Sequence, residues 1–152
     1  MQLHFPCRVV IDTSVLVAAA RSRKGASYAI VSSIPAEEFQ ICLSLAVYLE
    51  WQAVLTRPEN LPLGASPRDA LEFLGYLANH AHLQAIYFAW RPFLNDPSDD
   101  LVLELAFAAN CQYIITHNIR DFNGSQQLGI TAITPHDFLK LLRRRLHERD
   151  YH

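Results

Sequence analysis

Short apolar runs rich in valine and isoleucine alternate along this chain with longer stretches of helical periodicity, and that alternation limits the fold more than any other feature. Residues 8–12 (RVVID), 39–43 (FQICL), 83–88, 113–116 (YIIT) and 130–134 read as five strands. Between and after them the apolar spacing predicts helices over 14–20, from Gly25 to about 34, and over 45–56, 67–80, 99–110 and 135–147. Pro58 ends the third of these helices, and Pro62, Gly64 and Pro67 mark the turn before the fourth. Asn95-Asp96-Pro97-Ser98 is a helix-start signal. Strands separated by helices predict βαβ units, hence an α/β fold with a mostly parallel sheet covered on both faces. With 152 residues, 51% of them hydrophobic, the chain has the size and apolar content of one domain with its own core. The expected division is a single domain over 1–152, its core at about 7–140 and the helix 135–147 closing it.

Charge and cysteine usage exclude several classes. A formal net charge of −2 carries no global nucleic-acid signature, so any such contact rests on local patches. Cys7, Cys42 and Cys111 are odd in number and scattered, with no C-x-x-C pair, and read as buried thiols in a reducing compartment. The first apolar stretch carries Asp12 in its middle and has no basic cluster before it, so a signal peptide is not expected. No apolar run approaches the roughly 18 residues of a membrane span. A soluble, cytoplasmic chain without membrane contact is the expectation.

The chemistry-bearing residues gather where an open α/β sheet places its ligands, outside the carboxyl ends of the strands. Asp12 ends the first strand, Asp96 and Asp99 follow the third with Asp99 opening a helix, and Asn118 and Asp121 follow the fourth. Each has a purely structural alternative: Asp12 as a helix cap, Asp99 as a partner of a helix dipole. Glu50 weighs against that alternative. Its helical neighbours are Ala46, Val47, Ala53 and Val54, so it projects from an apolar stripe, where a carboxylate needs a cation or donors. An arginine partner or a snorkelling side chain would also satisfy it. A carboxylate set without histidine or cysteine at matching spacing suits Mg2+ or Mn2+ rather than zinc, and such an ion serves phosphodiester hydrolysis. His80 and His82 read as surface residues. His117 lies beside the proposed site, more as a bystander than as a substrate contact.

At these residues the sequence resembles the PIN-domain family, which includes the VapC-type toxins of toxin–antitoxin pairs. The segments are VVIDTSVLVAA around Asp12, LSLAVYLEWQAVLTRP around Glu50, DPSDDLVLELA around Asp99, and IITHNIRDF with Asn118 and Asp121. Together, in the family's order, they cover nearly the whole chain. The resemblance implies an α/β/α sandwich on a parallel sheet of about five strands. It further implies Mg2+- or Mn2+-dependent cleavage of RNA, a cognate antitoxin and a homodimer, with an interface on the first or fourth helix around Tyr76 and Leu77. Asp12, Glu50 and Asp99 match the three shared acidic positions. Where many members carry a fourth acid, two residues after Thr116, this chain has Asn118, and Asp121 follows within an N-x-x-D-F pattern seen in one branch. Either could complete the site. Thr13 and Ser14 match the small hydroxyl residues after the first aspartate, and Thr116 the end of the last strand of the motif. Asp96 and Asp100 are secondary contributors, and Glu104 orients rather than ligates. Arg21, Arg23 and Lys24 follow the helix after Asp12 and are the candidates to hold RNA phosphates. The basic run 143–145 reads as a solvated helix face.

Two other classes remain in view. A nucleotide-binding α/β module would carry G-x-G-x-x-G after the first strand or G-x-x-x-x-G-K-[ST], and neither is present. A non-catalytic PIN-fold RNA-binding or scaffold protein would be marked by loss of a carboxylate, and Asp12, Glu50 and Asp99 are all retained.

Overall fold

Val9, Val10 and Ile11 have no exposed surface, so the first strand is covered on both faces and alternation of polar residues disappears from it. The computed structural model describes residues 6–87 and 93–150. That strand is β1 (Cys7–Ile11). It leads into α1 (Thr13–Arg21) and α2 (Ala26–Ser32), then β2 (Phe39–Leu43), α3 (Leu45–Leu55) and α4 (Pro67–Asn79). After β3 (His82–Leu83) come α5 (Pro97–Ala108), β4 (Tyr113–Ile115), β5 (Thr131–Ile133) and α6 (Pro135–Asp150). Short 3-10 turns cover Pro58–Asn60, Ile119–Phe122 and Ser125–Leu128. The five strands lie in the order β3-β2-β1-β4-β5, every neighbouring pair parallel. The expected α/β class and parallel sheet are what the chain forms.

The N-terminal edge of the sheet is tied to helix ends by the two polar residues of the central strands. Arg8 and Gln40 face each other in the β1–β2 register. The Arg8 guanidinium donates to the Ala109 carbonyl at 3.0 Å, and the Gln40 amide donates to the His80 carbonyl at 2.8 Å. Ala109 and His80 are the C-caps of α5 and α4, so both side chains satisfy carbonyls that a helix end leaves open. Helix α5 packs on β1, β2 and β4, while α1 packs on α2 and α3. Cys7, Cys42 and Cys111 are buried free thiols, and burial pushes Cys7 up to about 11.

Several boundaries differ from the sequence expectation. The third strand has two residues instead of 83–88, of which Phe88 lies outside the described residues. Leu83 and Tyr87 are 69% and 92% exposed, so their apolar side chains meet no covering layer, and an edge strand without cover stays short. Helix α5 starts at Pro97, not at Asp99. The Asp96 carboxylate accepts from the Ser98 N–H at 2.9 Å, and Pro97 has no N–H to leave unsatisfied in the first turn. Leu77, expected at an interface, has no exposed surface, because it shares the inner ridge of α4 with Leu74. On α1, Val15, Leu16 and Ala19 are likewise buried.

Candidate active site

β1 is central because the chain first adds β2 and β3 on one side, then returns through α5 to place β4 and β5 on the other. The direction of winding reverses between β1 and β4, and a crevice opens at the carboxyl ends of such a pair. Asp12 stands there. Its N–H donates to the Ile115 carbonyl at 2.9 Å, continuing the β1–β4 ladder by one bond. Its backbone is extended at the N-cap position of α1, yet its side chain caps nothing. Instead Oδ2 accepts from Thr116 Oγ1 at 2.7 Å and from Ser14 Oγ at 2.8 Å. Thr116 Oγ1 in turn accepts from the Asn118 N–H at 3.0 Å, and Ser14 Oγ from the His117 N–H at 3.3 Å. Thr116 is fully buried and Asp12 is 9% exposed. Two hydroxyls therefore fix one oxygen, and Oδ1 has no donor among the described residues.

The acids of α5 divide by role. Asp96 is the exposed cap just described. Asp100 is 1% exposed, and its oxygens accept from the Leu94 N–H at 2.8 Å and the Phe93 N–H at 3.4 Å, which holds the segment leading into the helix. Asp99, between them in sequence, is half-buried; its backbone N–H donates to the Asp96 carbonyl at 3.0 Å, and its carboxylate has no hydrogen-bond partner among the described residues. Burial, and then the charges of Asp121, Asp96, Asp12 and Asp100, push its carboxyl from 3.8 up to about 7. Asp12, Asp99 and Asp121 thus share one electrostatic neighbourhood, although 22 residues separate the last two and 87 the first two. Among the described residues no positive group counters them at Asp99.

That neighbourhood fits a hard divalent ion by charge and by donor type. Among the described residues no three His, Cys, Asp or Glu side chains form a closed metal-binding group. Mg2+ does not require one, since it keeps several waters and takes one or two carboxylates along with substrate phosphates.

The remaining sequence candidates fall around this cluster in different ways. Glu50 is half-buried on α3, at the margin of the ridge formed by Val47, Trp51 and Leu55 rather than within it. It has no arginine partner among the described residues, and its charge is not among those acting on Asp99. Its helix packs on both α1 and α5, the two helices that follow Asp12 and Asp96. Thr13 opens α1 without a side-chain bond of its own among the described residues. Asn118 contributes its backbone N–H to Thr116, whereas Asp121, exposed on the turn Ile119–Phe122, contributes charge at Asp99. Arg21 donates to Asn60 Oδ1 at 3.1 Å, while Arg23 and Lys24 are exposed with no acidic partner among the described residues.

The PIN-domain family profile matches residues 8–120, which span Asp12, Glu50 and Asp99 and three-quarters of the chain. The chain belongs to the PIN-domain family. Members of this family are nucleases. Among solved structures, the chain is similar to VapBC-1 from nontypeable Haemophilus influenzae, with a TM-score of 0.57 and 14% identity over 84% of this chain and 98% of that one. It is similar to VapBC2 from Rickettsia felis, a complex bound to a DNA fragment from its promoter, with a TM-score of 0.58 and 16% identity over 84% and 98%. At those identities the likeness is one of fold. No curated protein matches the sequence.

The PIN sheet also brings together residues that the sequence reading left aside. Ser27 on α2 and His117 after β4 are 90 positions apart, and their Oγ and Nε2 atoms lie 2.9 Å from each other. Nothing in the spacing of either residue signals that pair. Ser14 and Thr116, by contrast, are singled out by the family resemblance, although their hydrogen bonds to Asp12 are not.

Proposed function

We propose that this chain is a Mg2+- or Mn2+-dependent endoribonuclease and the toxin component of a toxin–antitoxin pair, with Asp12, Asp99 and Asp121 as its principal acidic residues. The observation that carries the reading is Asp12. A helix-cap aspartate would accept from the backbone N–H groups of α1, but this one accepts from the side-chain hydroxyls of Thr116 and Ser14, near a second carboxylate whose charge is costly at neutral pH. The divalent ion supplies Lewis-acid stabilisation of the phosphate and an activated water when bound. Thr116 and Ser14 keep the Asp12 carboxylate in one orientation, and its charge acts on Asp99 in the first turn of α5. Asp121 is the better fourth position than Asn118, because its charge reaches Asp99 while Asn118 serves the backbone around Thr116. Glu50 joins the set from α3, with Thr13, Asp96 and Asp100 as supporting groups. An antitoxin partner is supported by the fold shared with VapBC proteins.

The test is cleavage of single-stranded RNA by purified protein. Asp12→Asn, Glu50→Gln, Asp99→Asn and Asp121→Asn should each lower the rate by orders of magnitude, and combinations should fall far short of additive. Asn118→Ala should cost much less. EDTA should abolish cleavage, and Mn2+ should restore it at least as well as Mg2+. Full activity of Asp12→Asn, or of wild type in excess EDTA, would refute the reading.

A further inference from the structure

A cavity of about 340 Å3 opens beside the acidic cluster, lined by Ser22, Ser27, His117, Thr134 and His136 together with small apolar side chains. That volume lies at the lower end of the roughly 300–1,000 Å3 typical of ligand sites. It is coupled to the cluster through two hydrogen bonds, from the His117 N–H to Ser14 Oγ and from Ser14 Oγ to Asp12 Oδ2. The His117 ring is itself anchored, since Nε2 meets the hydroxyl of Ser27, a residue only 4% exposed. His136 is exposed at the start of α6. The connection between α1 and α2, which lends Ser22 and Gly25 to the cavity, also carries Arg23 and Lys24. A cluster of carboxylates repels a phosphate backbone, so substrate affinity has to come from neighbouring surface. Imidazole faces beside free cations are the combination that holds single-stranded RNA, by stacking on bases and neutralising phosphates.

We propose that this cavity is a nucleotide subsite that leads single-stranded RNA to the acidic cluster, with a base beside His117 and His136 and the adjoining phosphates at Arg23 and Lys24. The assignment deepens, and rests on, the ribonuclease reading. It makes His117 a substrate contact instead of a bystander, and it separates Arg23 and Lys24 from Arg21, which is engaged with Asn60.

Binding in EDTA tests the subsite without turnover. A short fluorescein-labelled RNA of mixed sequence should bind wild type with an affinity readable by fluorescence anisotropy. The double variant Arg23→Ala/Lys24→Ala should bind about tenfold or more weakly, with its salt slope reduced by about 1.4, the release expected for two single-strand phosphate contacts. His117→Ala and His136→Ala should each weaken binding by at least about fivefold. The imidazole resonances of His117 and His136 should shift on adding RNA to wild type, which holds even if a variant folds poorly. Uridine 5′-monophosphate should compete only at millimolar concentration, and micromolar competition would overturn the RNA assignment in favour of a mononucleotide site. Unchanged affinity in the double variant and in His136→Ala, with both resonances unmoved, would overturn the subsite while wild-type cleavage leaves the nuclease reading standing. Cavity-dependent binding without any cleavage in Mn2+ would do the reverse.

Discussion

Asp99 and Asp100 are adjacent carboxylates with opposite consequences for the fold. The proton on Asp99 is held in the folded state up to about 7, against 3.8 in the unfolded chain. Between those values the folded protein binds more protons than the unfolded one, so this group lowers stability as pH rises, and the whole penalty is present above about 7. In EDTA, Asp99→Asn should therefore raise the melting temperature relative to wild type more at pH 7.5 than at pH 4. Mg2+ at pH 7.5 should narrow the gap by stabilising wild type. Equal differences between the two proteins at both pH values would show that Asp99 carries no such burden. Asp100 behaves oppositely. Its carboxylate is buried and accepts two backbone N–H groups, and Asp100→Ala leaves those donors without a partner. A loss of about 1–3 kcal/mol in urea unfolding is expected. The sequence shows both residues in one DPSDD motif, and only the family resemblance separates Asp99 from Asp100 there; the physical distinction depends on the backbone of Phe93 and Leu94 at one and the charge of Asp121 at the other.

At the level of elements, what the sequence declares is whatever local chemistry decides. β2 runs over the residues its β-branched and aromatic content indicates, and α4 begins at Pro67 with a full capping box between Ser66 and Asp69. The third strand is misjudged because its length depends on cover from other layers, which a run of apolar residues does not reveal. Glu50 is placed too deep for a similar reason. Helix α3 is apolar almost all round, so the spacing of its hydrophobic residues does not indicate which face is the core, and Leu45, Leu49 and Ala53 turn outward. The 3-10 turns after β4 are also absent from the sequence reading, although glycines punctuate them. Gly129 ends the turn Ser125–Leu128 at φ +77°, and its carbonyl side leads directly into β5. A Cβ there would meet no atom within 4 Å, so the cost of Gly129→Ala is that of the left-handed backbone alone. Chemical denaturation should show about 1–2 kcal/mol lost. A neutral result would mean that the connection to β5 relaxes without penalty.

For the molecule as a whole, the distribution of charge and apolar surface sets what it can associate with. The acids Asp12, Asp99 and Asp121 share one electrostatic neighbourhood, Arg23 and Lys24 are exposed between α1 and α2, and no helix among the described residues is long and apolar enough to cross a membrane. Leu77 and the inner residues of α1 are committed to the core, so an interface on the first or fourth helix would not use them. Tyr76 is half-exposed, but its hydroxyl donates to the Ile34 carbonyl at 2.8 Å and ties α4 to the end of α2. On α3, Leu45 and Leu49 stand one turn apart on the same face at 73% and 53% exposure, a pairing of large apolar side chains that a solitary domain gains nothing from displaying. A symmetric homodimer formed through that face would have each copy offer the same surface to its partner. Leu49→Glu should then shift the light-scattering mass from dimer to monomer at micromolar concentration. The melting temperature of the monomer should be little changed, because Leu49 lies outside the buried ridge of Val47, Trp51 and Leu55. Identical masses for Leu49→Glu and wild type, whether both dimeric or both monomeric, would remove α3 as the dimer contact and leave its exposed leucines to a different partner.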